Sequence, residues 1–214
     1  MKIDFVSDVV CPWCAIGLSS LQVALDRIGP ALPVELHFQP FELNPNMAPE
    51  GEDIVEHISK KYGIGAAQIA ANGESIRQRG ADVGFTFDMK NRSRIYNTFD
   101  AHRLLHWAGE QGAAAQLALK KALLQAYFTD GQDPSQHATL LQSVGHAGLD
   151  VAAAREVLES GAFADAVREA EQFWQSAGIH SVPAIIIDDR HLISGGQPPE
   201  VFERALRQLA DLPE

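Results

Sequence analysis

The strongest constraint on the fold lies in residues 2–28, where an apolar stretch runs straight into Cys11-Pro12-Trp13-Cys14. Ile3, Phe5, Val6, Val9 and Val10 give that stretch a strand-like alternation at its start. Behind the cysteines, Ile16, Leu18, Leu21, Ala24, Leu25 and Ile28 recur at spacings of three and four, which predicts an amphipathic helix closed by Gly29-Pro30. PVELHFQPF (33–41) alternates Val34, Leu36 and Phe38 with Glu35, His37 and Gln39 and predicts a second strand. Two strands joined by a helix of that length imply a parallel pair with a crossover connection.

From the turn-rich NPNMAPEGED (44–53) to about residue 177 the pattern is almost wholly helical. Helices are predicted over about 51–62, 66–80, 93–111, 113–128, 134–146, 150–159 and 162–177. Asp133-Pro134 and Asp150 are starts, and Gly63, Gly112, Gly131, Gly148 and Gly178 are stops. GFTFDM (84–89) reads as a short extended interruption. Beyond it all, VPAIIID (182–188), the turn DDR and HLIS (191–194) predict a hairpin. Pro198-Pro199 then opens a helix with Val201, Phe202, Ala205, Leu206 and Leu209 on one face. The expected fold class is α/β: a domain in two halves, residues 1–45 and 177–214, interrupted by an all-helical insertion over 46–176.

With Pro12 as the first helical residue, Cys11 takes the N-cap position. Its sulfur can accept from the free amides of Trp13 and Cys14, and the positive end of the helix dipole faces it. Both effects favour the thiolate, which is the nucleophile in thiol chemistry. Cys11 is therefore expected to be the exposed, attacking thiol, and Cys14, one turn inside the helix, the thiol that resolves a mixed disulfide. A cationic residue between the cysteines would make the pair more oxidising; Trp13 is neutral, so an intermediate potential is expected.

The formal net charge of −11 argues against nucleic acid and against anionic membranes, since both select basic surfaces. No apolar run approaches the roughly 18 residues that cross a bilayer. The start MKIDFVSDVVC lacks the pattern of a secretory leader, which gives a cytoplasmic expectation. Two cysteines three residues apart then point to redox or metal chemistry, not to the disulfide framework of a secreted domain.

Strand, C-P-W-C, helix and a distant V-P before a hairpin together resemble the thioredoxin superfamily, and the helical insertion resembles its DsbA branch. DxxCPWCxIG, NTFDAHRLLHWA (97–108) and ISGGQPPEVF (193–202) are most similar to FrnE-type dithiol–disulfide oxidoreductases. The resemblance covers essentially the whole chain. It implies a thioredoxin-like fold, Cys11 as nucleophile and Cys14 as resolving thiol, supported by Pro12 and Trp13. It also implies that Pro183 is the superfamily's cis-proline and that the backbone of Val182 pairs with a bound substrate. The helix holding NTFDAHRLLHW is implied to line the cleft, making Asn97, His102 and Trp107 candidate substrate contacts. Where many thioredoxin-like proteins hold a buried acid six residues before the first cysteine, this chain has Phe5. Asp4 and Asp8 are nearby; Asp8 is the one expected at the mouth of the site, opposing the Cys11 thiolate or capping the loop backbone.

Several further readings follow from the residues. His102 and His106, at i and i+4, would join the cysteines in a Cys2His2 zinc site; the helix-starting CPWC argues against it, and no metal is expected. Gly195-Gly196 before a helix lacks the rest of a phosphate-binding fingerprint and reads as a turn. The expected activity is exchange with a protein or small-molecule disulfide or dithiol, without metal or nucleotide, with glutathione as a candidate co-substrate and a homodimer as a candidate assembly. The same insertion pattern is similar to 2-hydroxychromene-2-carboxylate isomerases and kappa-class glutathione transferases, in which a serine replaces the residue at Cys11. A non-catalytic peptide-binding or chaperone-like module is the third reading.

Overall fold

The computed structural model describes residues 1–213. Strand β1 (Lys2–Ser7), helix α1 (Pro12–Ile28) and strand β2 (Glu35–Pro40) form the β-α-β unit, and β1 pairs with β2 in parallel. Strand β5 (Ala184–Ile187) pairs antiparallel with β1, and β6 (His191–Ser194) antiparallel with β5, giving the order β2-β1-β5-β6. A central strand needs cover on both faces. β1 shows it: Ile3, Asp4, Phe5, Val6 and Ser7 are all buried, so the initial alternation of apolar residues does not correspond to an exposed face.

Ile3 and Phe5 share one face with Leu36, Phe38, Ile185 and Ile187, packed in the main core with α1 and with Phe202 and Leu206 of α9 (Pro199–Leu209). Val6, Ala184 and Ile186 face the other way, onto Trp174 and Ile179. In the three-residue connection of the hairpin, Asp188 and Asp189 both take positive φ (48° and 57°), and the Arg190 amide donates to the Ile187 carbonyl at 3.1 Å to close the turn.

Between the halves lie β3 (Glu52–Asp53), α2 (Ile54–Tyr62), α3 (Ala66–Asp82), β4 (Arg94–Ile95), α4 (Phe99–Glu110), α5 (Ala113–Phe128), α6 (His137–His146), α7 (Val151–Ser160) and α8 (Ala164–Ser176). The block is not all-helical. β3 and β4 form an antiparallel ladder, which removes residues 51–53 and 93–98 from the two helices expected there. The Arg94 guanidinium fixes that ladder by donating to the carbonyls of Glu50 and Gly51. Asn97 then starts α4 by accepting from the Phe99 amide at 2.9 Å. GFTFDM does interrupt the helices, as a loop that seats Phe85 and Phe87 against Phe128. Asp133 closes a turn by accepting from the Ser135 amide and hydroxyl, and α6 starts only at His137. Asp150 does cap α7, accepting from Ala152 and Ala153.

The block is attached to the sheet through α5. Gln116 accepts from the Phe38 amide at 2.8 Å and donates to the Phe38 carbonyl and to the Leu105 carbonyl of α4. One buried side chain thus satisfies edge-strand groups that would otherwise recruit another strand. Among the described residues no helix is long and apolar enough to cross a membrane.

Candidate active site: a cysteine pair under a proline turn

Cys11 is the N-cap of α1, in extended backbone, with Pro12 in the first turn. The loop closes by a 3.3 Å bond from the Cys11 amide to the Asp8 carbonyl, and the helix begins with Cys14 N–H donating to the Cys11 carbonyl at 3.0 Å. Cys14 has no exposure, and Cys11 only 4%. The exposed member of the motif is Trp13, at 36%, so the expectation of an exposed Cys11 is corrected: the Val182-Pro183 turn covers it. The Cys11 thiol is 3.7 Å from the Val182 carbonyl, to which it donates, and it makes no formed cap bond to the helix amides. The Val182–Pro183 peptide bond is cis.

That turn is held against α1 by the two glycines that follow β6. The Gly195 amide donates to the Pro183 carbonyl at 2.8 Å, with Gly195 at φ 81°. A Cβ on Gly196 would lie 2.8 Å from the Trp13 carbonyl oxygen, and one on Gly17 would lie 3.1 Å from the Pro183 ring. Gly195-Gly196 is therefore a turn whose bareness lets the loop rest on the first turns of α1.

Both thiols are free. The Cys14 thiol, placed to hydrogen-bond the Cys11 sulfur, holds Cys11 below the ordinary thiol value against the opposing effect of burial; the amides of Cys14 and Trp13 help, and the Asp8 charge resists. Burial pushes Cys14 well above that value, reinforced by its bond to Cys11 and by the Cys11 charge. The two thiols are thus pushed in opposite directions, Cys11 toward the thiolate and Cys14 toward the protonated form.

Asp8 is fully buried, not at the mouth of the site. Its carboxylate accepts from the Leu43 amide at 2.8 Å and lies 3.5 Å from Nε2 of His102, so it both caps the loop and opposes the Cys11 thiolate. Burial acts to raise its carboxyl, but His102, the Leu43 amide and Thr98 hold it below the ordinary value. His102 itself is 2% exposed, which corrects its expected place as a substrate contact: it reaches the cysteines only through Asp8. Asn97 is partly buried, donating to Glu42 at 3.1 Å while it starts α4. Trp107 packs, partly buried, against the main core. His106 leans on the Phe163 ring at 5.2 Å and does not join His102, and no metal-holding cluster exists among the described residues. Asp4 lies buried, accepting from Gln39 at 2.7 Å and paired with Lys2 at 2.8 Å.

Three features of the site were not foreseen. Arg79 of α3 places its guanidinium 5.5 Å from the centre of the Trp13 ring, so a cation does stand at the motif although none lies within it. Arg168 of α8 lies over Phe99 at 3.8 Å and bridges Glu42 and Glu171, whose carboxyls burial holds above the ordinary value. Lys120 of α5 is buried to 1% exposure, its ammonium 5.7 Å from the centre of the Phe38 ring. Lys120 had a legible signal: it interrupts the stripe Gln116, Leu123, Leu124 and Tyr127, which helical spacing places on one face. Arg79 and Arg168 had none, being ordinary surface-type residues brought in by tertiary packing.

A family model for the DSBA-like thioredoxin domain matches residues 2–207. The uncharacterized protein YwbO of Bacillus subtilis (strain 168) is 29% identical over 207 residues, covering 96% of each chain. A probable DsbA oxidoreductase from Streptomyces coelicolor superposes with a TM-score of 0.87 at 31% identity, covering 100% of this chain and 92% of that one. The glutathione-bound cytosolic disulfide reductase DsbM of Pseudomonas aeruginosa has a TM-score of 0.68 at 15% identity, covering 99% and 100%, a likeness of fold. This chain belongs to the DsbA-like thioredoxin domain family of thiol–disulfide oxidoreductases.

Proposed function

We propose that the protein exchanges disulfides by attack at or from Cys11, with Cys14 resolving the mixed disulfide. The observation that carries this reading is the placement of Cys11 at the N-cap of α1, its sulfur 3.7 Å from the Val182 carbonyl of the cis-proline turn, with Cys14 one turn further along the same helix; the thiol of Cys11 shifted down and that of Cys14 shifted up accord with it. Thiolate character decides which sulfur reacts, and a raised partner is held protonated until it is needed. The Val182 carbonyl, 3.7 Å from the Cys11 sulfur, is the group a bound peptide amide would meet once the thiol proton is gone. The reaction needs no metal or nucleotide. Electrons come from an external dithiol or from glutathione, whose binding in DsbM suggests it as co-substrate. In the cytoplasmic setting expected from the sequence, the pair rests mainly reduced.

The test is catalysis of insulin reduction, and of disulfide formation in a reduced substrate, by the wild type, Cys11→Ser and Cys14→Ser. The first variant loses both activities. The second accumulates mixed disulfides at Cys11, detectable by mass. A wild type inactive in both directions overturns the reading.

A further inference from the structure

The Val182 carbonyl stands 3.7 Å from the Cys11 sulfur, and Gly196 rests on the Trp13 carbonyl with no room for a Cβ. Of the four motif residues, Cys11 and Cys14 are buried, Pro12 is half-buried and Trp13 is exposed. A molecule reaching Cys11 therefore comes over Pro12 and the Trp13 ring. There it meets Arg79 of α3, whose guanidinium is 5.5 Å from the centre of that ring. The other face of α3 holds it in place. Ile76, Gly80 and Val83, at spacings of four and three, turn toward the core, and Gly80 lies so near Phe87 that a Cβ would stand 2.4 Å from the ring.

Arg79 differs from the other charged residues of its helix. Arg77 is closed by Glu74 through bonds of 2.6 and 2.8 Å, and Asp82 accepts from Gln78 at 2.9 Å. Arg79 is exposed, and among the described residues it has no hydrogen-bond or ion-pair partner; its one polar contact is the Trp13 ring. A guanidinium held against an aromatic ring loses little further freedom on binding, and its planar fork of N–H donors matches a carboxylate. The chain carries a formal net charge of −11, so its overall field repels anions. An unpaired cation at the entrance to a thiol reverses that field locally.

Resting on the oxidoreductase reading above, we propose that Arg79 is the specificity residue of the site, and that it selects small disulfides carrying a carboxylate near the sulfur, as glutathione does. One guanidinium fork matches one carboxylate, whereas an acidic protein surface calls for a patch of cations. Arg79 is the single cation at the Trp13 ring among the described residues. In the reaction the Cys11 thiolate attacks one sulfur of the disulfide while Arg79 holds the carboxylate. The bond from Cys11 to that sulfur forms and the original S–S bond breaks. The departing half leaves with the electron pair and takes a proton from solvent. Cys14 gives its proton to solvent, attacks Cys11 and displaces the second half in the same way. The cysteine pair is thereby oxidised by two electrons, and the disulfide is reduced to two thiols.

The experiment uses the full reduced chain and three small disulfides that differ in the charge of their ends: dithiodipropionate (anionic), bis(2-hydroxyethyl) disulfide (neutral) and cystamine (cationic). The second-order rate of protein oxidation is measured with each at pH 7, and each variant's rate is divided by the wild-type rate with the same probe. Arg79→Gln should slow dithiodipropionate about three- to tenfold, leave bis(2-hydroxyethyl) disulfide within about twofold, and not slow cystamine. Arg79→Lys, which keeps the charge but loses the fork, should fall between wild type and Arg79→Gln. Arg77→Gln removes the same formal charge where Glu74 already neutralises it, and should leave all three ratios near one. The proposal is overturned if Arg79→Gln leaves dithiodipropionate unslowed, slows all three probes equally, or is matched by Arg77→Gln. A wild type oxidised by none of the probes refutes the oxidoreductase reading; one oxidised by all three with no dependence on residue 79 refutes only the role of Arg79.

Discussion

Gly196→Ala isolates the contact on which the site geometry rests. The added methyl would stand 2.8 Å from the Trp13 carbonyl oxygen and 3.4 Å from the Gly17 nitrogen, both backbone atoms of α1 that cannot swing aside. Overpacking of this kind costs about 1–3 kcal/mol, while restricting the unfolded chain returns about 0.4–1 kcal/mol. The clash wins, leaving a net loss of about 1–2 kcal/mol. For a chain of this size each kcal/mol lowers Tm by about 2–4 °C, so a fall of about 2–8 °C is expected in a calorimetric or circular-dichroism melt. The loop must lift, and it carries the Gly195 bond to the Pro183 carbonyl with it, so the Val182 carbonyl moves relative to the Cys11 sulfur. The rate of Cys11 alkylation at pH 7 should change in the same variant. Gly145→Ala is the control. It lies inside α6, where a Cβ meets only Val151 at 3.5 Å, an ordinary contact, and should gain about 0.5–1 kcal/mol. A Gly196→Ala protein that melts no lower than wild type, beside a stabilised Gly145→Ala, refutes the close-approach argument.

Asp8→Asn should act on stability and on Cys11 together. The Asp8 carboxyl is held below its ordinary value in the folded chain, so its stabilisation is complete above about pH 4 and fades as the pH falls through the lowered folded value. The Tm difference between wild type and variant should be largest near neutrality and shrink on acidification; a pH-independent difference removes the electrostatic account. Because Asp8 opposes the Cys11 thiolate, the same variant should shift the alkylation pH profile of Cys11 downward. Gln116→Leu should cost about 2–4 kcal/mol, since it leaves the Phe38 amide and carbonyl and the Leu105 carbonyl without their partner. A melt within 2 °C of wild type, roughly half a kcal/mol, would show that those groups find other partners.

The sequence alone determined what local physics controls. Alternation and three-four spacing marked β1, α1, β2, the hairpin and α9, because each element exposes or buries side chains with its own period. Proline at the first helical position located Cys11 at an N-cap, and the fivefold set of glycine stops reappears as positive φ at Gly63, Gly112, Gly131, Gly148 and Gly178. The ladder of Glu52–Asp53 with Arg94–Ile95 was illegible, because two-residue strands are too short to show a period and are fixed by contacts across forty residues. His102 shows the deeper limit. Its helix was found, but whether an imidazole on that helix faces a substrate or a buried carboxylate depends on where α4 is set against the loop after β1. The covering of Cys11 by the Val182-Pro183 turn, the arrival of Arg79 over Trp13 and the burial of Lys120 beside the Phe38 ring were decided in the same way. Spacing along a chain fixes which side chains share a face. Only the packing of those faces fixes which charges share a low-dielectric interior, and that sets the chemistry of the two thiols.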